Sequence, residues 1–288
     1  MSRIFDVVSK ERVLDFGEMC PAETKDAKGI RTPQQEPRRP LDGPRSGSAY
    51  RVVRLRAPAL SPIFPFDDKN QAAVEQYRLI RTRILHRPKK PQFIVVSSAS
   101  SGDGKTVTSI NVAASLALKG ESRVLLVDGD LRQPRIADAV GIPIVPGLGD
   151  VLSGAAELDA AIVRAEQFPN LFILPAGNPR GSAAELLDSQ NWQRLTKELR
   201  ARFSNVIFDA PPIATVADYE LLQLVCDGVI VVARPDHSNR TALAEGLKNI
   251  PREKLLGLVL NCVEDWWLWK TPSYGYYRKP DASETLSR

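Results

Sequence analysis

Eight residues beginning at Ala99 have the spacing of a phosphate-binding loop. The stretch Ala99-Ser-Ser-Gly-Asp-Gly-Lys105-Thr106 follows the pattern G-x-x-x-x-G-K-[ST], with alanine in place of the first glycine. In such a loop, backbone N–H groups and the N-terminus of the next helix surround phosphate oxygens. Lys105 would reach the β- and γ-phosphates of a nucleotide, and Thr106 would offer its hydroxyl to Mg²⁺. We therefore predict a nucleotide site formed by Ala99, Ser100, Ser101, Gly102, Asp103, Gly104, Lys105, Thr106 and Val107.

Two apolar segments further along the chain end in carboxylates. One is followed by Asp128, Asp130 and Arg132, and the other by Asp209. Ligands of an open parallel sheet bind beyond the carboxyl ends of its strands, where the phosphate loop also leaves the sheet. Oxygen ligands suit Mg²⁺, so we predict a metal site at Thr106, Asp128 and Asp209. Asp128 or Asp130 remains to orient or deprotonate an attacking hydroxyl. The predicted catalytic set is Lys105, Asp128, Asp130, Arg132 and Asp209.

Alternating strands and helices must position these side chains. Apolar runs predict strands at residues 93–97, 123–128, 171–175, 205–209, 228–233 and 256–261. Between them, the pattern predicts helices near 105–118, 182–188, 191–202, 216–225 and 239–249, with short helices and turns over 134–167. This alternation predicts an α/β fold of the P-loop NTPase type, in which a mostly parallel sheet lies between two helical layers.

A helix predicted from Asp68 to His86 carries charges on one stripe. Glu75, Arg78 and Arg81 lie at i, i+3 and i+6, which spreads them over about 60° of the helix surface. Such a stripe suits bidentate pairing with an acidic patch or with the same stripe on another copy. From this segment alone, an ordinary salt-bridged surface helix explains the pattern equally well.

The N-terminal residues differ from the rest in composition. Residues 3–18 have near-helical apolar spacing, which predicts an amphipathic helix. Residues 21–48 have few apolar side chains and read as a disordered linker, and Tyr50–Leu55 reads as a short strand or an extended arm. We therefore divide the chain into an N-terminal extension (1–67), a nucleotide-binding domain (68–265) and a C-terminal tail (266–288).

Charge and residue counts limit the classes of function. Residues 1–90 contain 19 Lys and Arg against 11 Asp and Glu, whereas residues 91–288 contain 20 against 23. The basic character therefore belongs to the extension. It favours a solvated linker over a segment that binds an anionic membrane or an acidic partner. No interleaved aromatic residues indicate nucleic-acid binding. His86 and His237 are the only histidines, which argues against a histidine metal site or a Ser-His-Asp triad. No apolar run approaches the roughly 18 residues of a membrane span, and the three cysteines read as free thiols of a cytoplasmic protein.

The motifs together resemble those of the bacterial tyrosine kinases of polysaccharide export. That family has a phosphate loop, an apolar segment followed by D-x-D-x-R, and an apolar segment followed by D-x-x-P. Here these correspond to Ala99–Thr106, Leu125–Arg132 and Val206–Pro212. The E-x-x-R-x-x-R motif that drives ring-like oligomerisation in the family matches the stripe beginning at Glu75. The resemblance covers about residues 68–277.

The resemblance implies an ATP- and Mg²⁺-dependent protein-tyrosine autokinase that regulates capsule or exopolysaccharide synthesis. The family's C-terminal tyrosine cluster, which neighbouring subunits phosphorylate, corresponds to Tyr274, Tyr276 and Tyr277. Because the pKa of tyrosine is about 10, its hydroxyl needs a positioned carboxylate, and we expect Asp128 to be that residue. The cluster is short, and Trp266, Trp267 or Trp269 could instead anchor the tail by packing. Further implications are a homo-oligomeric ring, an activating membrane polysaccharide co-polymerase that holds the kinase at the inner membrane, and a cognate tyrosine phosphatase.

Two other functions share this fold. Partition and division-site ATPase switches place an extra lysine early in the phosphate loop, where this chain has Ser100. That position, the D-x-D-x-R segment and the tyrosine tail argue against a switch. A non-catalytic assembly factor that binds ATP without transferring phosphate stays open at this point.

Overall fold

The structure is a computed structural model that describes residues 3–5, 50–57, 63, 71–120, 122–213 and 217–263. Within these ranges one sheet contains the strands β1 (Arg3–Phe5), β2 (Arg51–Val53), β3 (Phe93–Ser98), β4 (Val124–Asp128), β5 (Val163–Ala165), β6 (Leu171–Leu174), β7 (Asn205–Asp209), β8 (Gly228–Ala233) and β9 (Leu255–Leu260). The helices are α1 (Gln71–Leu85), α2 (Lys105–Ala117), α3 (Ile136–Val140), α4 (Leu148–Leu152), α5 (Leu158–Ala161), α6 (Ala183–Leu187), α7 (Gln190–Arg202), α8 (Ala217–Val225) and α9 (Arg240–Lys248).

The strand order brings the functional segments together. It runs β1-β9-β8-β3-β7-β4-β6-β5-β2, and the neighbours from β9 to β6 are parallel. β7 lies between β3 and β4, so Asp209 is the backbone partner of both Val96 and Asp128. The carboxyl ends of these three strands therefore meet at one edge of the sheet, directly beside the phosphate loop.

Helices cover both faces of the sheet. Phe93 and Val95 of β3 pack into a core cluster with α7 and α8, whereas Ile94 and Val96 pack into a second cluster with α1 and α2. Because both faces are buried, the central strands are continuously apolar instead of alternating. The predicted α/β/α fold with a mostly parallel sheet is confirmed. No helix in the described ranges is long and apolar enough to cross a membrane.

The N-terminal segment differs from its predicted structure at the first three residues that the structure describes. The helix predicted over residues 3–18 is wrong at Arg3–Phe5, which form β1 and pair antiparallel with β9. An open strand edge offers a row of backbone hydrogen bonds, and this tertiary pairing overrides the local helical pattern. Residues 6–18 and the predicted linker at 21–48 lie outside the described residues.

The other edge of the sheet also comes from the predicted extension. Arg51–Val53 form β2, which runs parallel to β5, so the predicted strand near Tyr50–Leu55 is confirmed. Gln167 holds Leu55, two residues beyond β2, by accepting from its N–H at 3.0 Å and donating to its carbonyl at 2.8 Å. The boundary drawn at residue 68 thus leaves two strands of the sheet, β1 and β2, in the extension, because three residues carry too little periodicity to place them in a core.

Candidate active site

The phosphate loop connects β3 to α2 in a conformation that requires glycine. Gly102 and Gly104 have φ angles of +88° and +96°, which side chains of L-residues rarely adopt. A Cβ on Gly104 would also lie 1.9 Å from Nδ2 of Asn261, which donates a 2.9 Å hydrogen bond to the carbonyl of Asp103. The two glycines therefore leave the loop backbone close to its neighbours and shaped as a cradle for an anion.

Asp103 lies beneath this cradle and fixes its shape. Its carboxylate is completely buried and accepts from the N–H of Ser100 at 2.8 Å. On the other side it meets the loop after β8, through Nδ1 of His237 at 3.0 Å and the hydroxyl of Ser238 at 2.7 Å. Of the nine residues predicted to contact nucleotide, the eight others line the cleft, whereas the side chain of Asp103 supports the loop from below.

Asp209 connects the strand end to the start of α2. Its carboxylate is completely buried and accepts from the hydroxyls of Thr106 at 2.6 Å and Ser109 at 3.1 Å. Burial raises the pKa of Asp209, while the charge of Lys105 and the two hydroxyls oppose that rise. Thr106 and Asp209, both predicted as metal ligands, thus lie in direct contact with each other.

Lys105 lies among carboxylates. Its Nζ is 2.9 Å from Oδ2 of Asp130 and 3.9 Å from Oδ2 of Asp209. Burial alone would lower the pKa of Lys105, but the charges of Asp209 and Asp130 outweigh it, so its pKa is raised. Lys105 is thus a buried cation held between Asp130, just beyond β4, and Asp209 at the end of β7.

Asp128 and Asp130 occupy different environments despite their spacing. Asp128 is completely buried, and its Oδ2 accepts the N–H groups of Arg135 and Ile136 at 3.0 Å each. Burial, followed by the charge of Asp209, raises the pKa of Asp128 to about 7. Asp130, in contrast, lines the cleft, so the pair divides into one carboxylate below the site and one within it.

Arg132 is anchored by a residue that sequence reasoning missed. Its Nε and Nη2 donate to Oδ2 and Oδ1 of Asp218 on α8, at 2.6 and 3.2 Å. The Asp218 side chain is 1% exposed, whereas Arg132 is half exposed and lines the cleft. This bidentate pair ties the segment after β4 to α8. The sequence carried one signal for this contact, an aspartate at the start of a predicted helix. Aspartate is common there because it stabilises the helix N-terminus, so the signal does not reveal a partner.

These residues surround a cleft of about 940 Å³. Its floor is the phosphate loop, its walls include Asp130, Arg132 and Pro211, and Asn239 and Ala242 of the α9 region close one side. Cradle, buried lysine and carboxylates are the groups needed to hold a nucleoside triphosphate and to stabilise charge on its transferring phosphoryl group.

Two predicted groups lie away from the cleft or outside the described residues. On α1, Arg78 forms an ion pair with Glu75, and both side chains are more than half exposed. Arg81 instead donates to the carbonyl of Ser115 on α2 at 3.2 Å. The tail tyrosines at 274, 276 and 277 lie outside the described residues.

The fold and the cleft define a P-loop NTPase. Residues 91–254 match the family model AAA_31, described as an AAA domain. The tyrosine-protein kinase YwqD of Bacillus subtilis strain 168 is 35% identical over 211 residues, covering 72% of this chain and 87% of YwqD. The tyrosine-protein kinase CpsD of Streptococcus pneumoniae serotype 4 is 32% identical over 192 residues, covering 66% of this chain and 84% of CpsD.

A solved structure agrees with these relatives. The crystal structure of the chimerical protein CapA2B2 superposes with a TM-score of 0.65 at 28% identity, covering 73% of this chain and 92% of that one. The chain belongs to the bacterial tyrosine kinase family of P-loop NTPases, as its motifs indicate, and it uses ATP.

Proposed function

We propose that the protein is a Mg²⁺- and ATP-dependent protein-tyrosine autokinase whose acceptors are Tyr274, Tyr276 and Tyr277, and that it regulates capsule or exopolysaccharide synthesis. Kinase relatives support the reaction. The observation that carries the proposal is the meeting of all three motif segments at one cleft, where Lys105 of the phosphate loop lies beside both Asp130 and Asp209.

The oxygen atoms at the cleft floor fit a divalent cation bound with the nucleotide. The hydroxyl of Thr106 and the carboxylate of Asp209 are the hard donors that Mg²⁺ prefers. Oδ1 of Asp128 is buried without a hydrogen-bond partner in the described part of the chain, so it is a further oxygen with unused capacity. When bound, the cation would neutralise charge that develops on the phosphates. The chain's own part is to hold these oxygens and to offer Lys105 to the phosphates.

For the acceptor hydroxyl, the cleft-lining position of Asp130 makes it the better partner. Asp128 is completely buried and committed to two backbone N–H groups, so an incoming tyrosine would not reach it without rearrangement. Asp130 is bound to Lys105, and release of that lysine to the phosphates would free a carboxylate for the tyrosine hydroxyl. We therefore assign acceptor orientation to Asp130 and a supporting role to Asp128.

The test is phosphotyrosine formation with Mg-ATP, with and without a peptide from the cytoplasmic tail of a candidate membrane co-polymerase. We expect signal from the wild type and from Lys119→Ala, an exposed lysine just beyond α2, and none from Lys105→Ala. Asp130→Asn should lose more of the signal than Asp128→Asn, and replacing all three tail tyrosines by phenylalanine should abolish tail phosphorylation. Phosphate release without phosphotyrosine, in the presence of the activator, would favour an ATPase switch; nucleotide binding alone would favour an assembly factor.

We also propose that the kinase assembles as a ring through the stripe on α1, works with the membrane co-polymerase at the inner membrane and is reset by a cognate tyrosine phosphatase. The exposed pair of Glu75 and Arg78 supports the stripe as a contact surface. Arg78→Ala combined with Arg81→Ala should lower the mass measured by light scattering, whereas Arg83→Ala on the same helix should leave it unchanged. Equal masses for all three proteins would contradict the ring.

A further inference from the structure

The hydroxyl of Tyr50 lies between two arginine side chains. It accepts a hydrogen bond from Nη2 of Arg123 at 3.2 Å and another from Nη2 of Arg202. Both guanidinium groups also lie over the Tyr50 ring, with their carbon atoms 5.7 and 5.6 Å from its centroid. Two cations therefore converge on one phenolic oxygen that carries no formal charge.

This arrangement suits an anion better than a neutral phenol. Each arginine presents donors in a planar fork that matches the oxygen atoms of a phosphate. Arg123 is held in place by stacking over Phe172 and Phe203, at 4.9 and 5.2 Å from the ring centroids. Arg202 is held by ion pairs with Asp159 and Glu198. The two donors are thus positioned in advance, and the group between them is an oxygen that a kinase can modify.

Among the described tyrosines, Tyr50 is also the accessible one. Tyr77 and Tyr219 are 2% and 1% exposed, whereas Tyr50 is partly exposed. It immediately precedes β2, a three-residue strand at the outer edge of the sheet. In the described sheet β2 pairs with one strand, so this segment can leave the edge at the loss of that pairing and of the contact between the rings of Tyr50 and Phe172, which would present the tyrosine to an active site.

We propose that Tyr50 is a phosphorylation site of this kinase and that Arg123 and Arg202 receive the phosphate. The inference rests on the proposed kinase activity. The Tyr50 oxygen attacks the γ-phosphorus of ATP, the bond to the β,γ-bridging oxygen breaks, ADP leaves, and the phenolic proton passes to the carboxylate of Asp130 in the copy that holds the ATP. Because Tyr50 does not line the cleft, the transfer takes place between two copies of the chain.

The phosphate fastens the edge strand to the core. Phosphorylation adds a charge of roughly −2 and three acceptor oxygens. These oxygens replace one neutral acceptor with several charge-assisted hydrogen bonds to the arginine pair, and they compete with Asp159 for Arg202. Tyr50 and β2 are thereby held more firmly at the sheet edge.

The experiment mixes active full-length wild type with isotope-labelled Lys105→Ala protein and Mg-ATP, and measures tryptic peptides by mass spectrometry. Trypsin cuts after Arg45 and Arg51, so one short peptide reports Tyr50. We expect phosphate on this peptide of the labelled, inactive chain, and none when Lys105→Ala is incubated alone. Tyr50→Phe should remove this phosphopeptide and keep tail phosphorylation.

The arginine pair has its own readout. On fully phosphorylated protein, an added tyrosine phosphatase should release the Tyr50 phosphate about tenfold faster in Arg123→Gln than in the wild type, because one charge-assisted contact is missing. Equal release rates would overturn the receiving role. Tail phosphorylation with an unmodified Tyr50 peptide would overturn the site and leave the kinase intact, whereas absence of all phosphotyrosine would overturn the proposed function itself.

Discussion

Replacing Gly104 by alanine tests the geometry of the phosphate loop most directly. Alanine at a φ of +96° carries backbone strain, which typically amounts to about 1–3 kcal/mol. The new Cβ would lie 1.9 Å from Nδ2 of Asn261, so this amide must move and lose its hydrogen bond to the Asp103 carbonyl. That loss adds about 0.5–1.5 kcal/mol. We expect the free energy of unfolding to fall by roughly 2–4 kcal/mol and ATP binding to weaken strongly, since the cradle itself is displaced.

Urea unfolding followed by circular dichroism, with a fluorescent ATP analogue for binding, measures both effects. Gly120→Ala is the matched control, because its Cβ meets nothing within 4 Å and its backbone is unstrained. Adding Asn261→Ala to Gly104→Ala removes the collision and leaves the strain, so the double variant should recover part of the lost nucleotide affinity. If Gly104→Ala is as stable as Gly120→Ala and binds ATP equally well, the loop does not have the conformation described.

Three further predictions concern stability. Burial alone would raise the pKa of Asp227, but hydrogen bonds from Arg200 and two backbone N–H groups outweigh it, so the pKa is lowered. Asp227→Asn should therefore lower the Tm at pH 7. Calorimetry across pH should show this difference in Tm shrinking as the pH falls below the ordinary carboxyl pKa of 3.8. Ser109→Ala removes a buried hydroxyl that is shared between the Lys105 carbonyl and Oδ1 of Asp209 and should lower the free energy of unfolding by about 1–3 kcal/mol in urea, with no loss expected if that hydroxyl makes neither bond. Phe208→Ala, completely buried between two aromatic rings, should lose about 3–5 kcal/mol, whereas Leu224→Ala, 74% exposed, should stay within about 0.5 kcal/mol.

The sequence was sufficient for the parts of the site that depend on local spacing. The loop ending in Lys105 and Thr106 has a conformation that its own glycines dictate, and the strand-end position of Asp209 follows from an apolar run. The insertion of β7 between β3 and β4, which places Asp209 beside Asp128, depends on strand order, and no local pattern encodes strand order. The rule that parallel strands end at one edge of the sheet placed these carboxylates near the phosphate loop, but it did not make Asp209 the direct neighbour of Asp128.

Contacts between distant segments were beyond sequence reasoning for a physical reason. Asp218 binds Arg132 across 86 residues of chain, and Tyr50 meets Arg202 across 152. An aspartate or tyrosine has the same local pattern whether its partner is water or a buried cation. The prediction at β1 was wrong for a related reason, because its three residues take their conformation from the open edge of β9 beside them.

Buried negative charge exceeds buried positive charge among the described residues at the cleft floor. Asp128, Asp130 and Asp209 are each less than 5% exposed, and Lys105 is the cation that contacts two of them. Burial raises the pKa of both Asp128 and Asp209, which means that their ionised forms are poorly compensated by the protein alone. In the proposed mechanism, a nucleotide bound with a divalent cation would correct this imbalance, because the carboxylates would hold the cation and the phosphates would attract Lys105 away from Asp130. The same exchange would free Asp130 for an acceptor, so the proposal makes nucleotide binding and readiness for phosphoryl transfer consequences of one redistribution of charge.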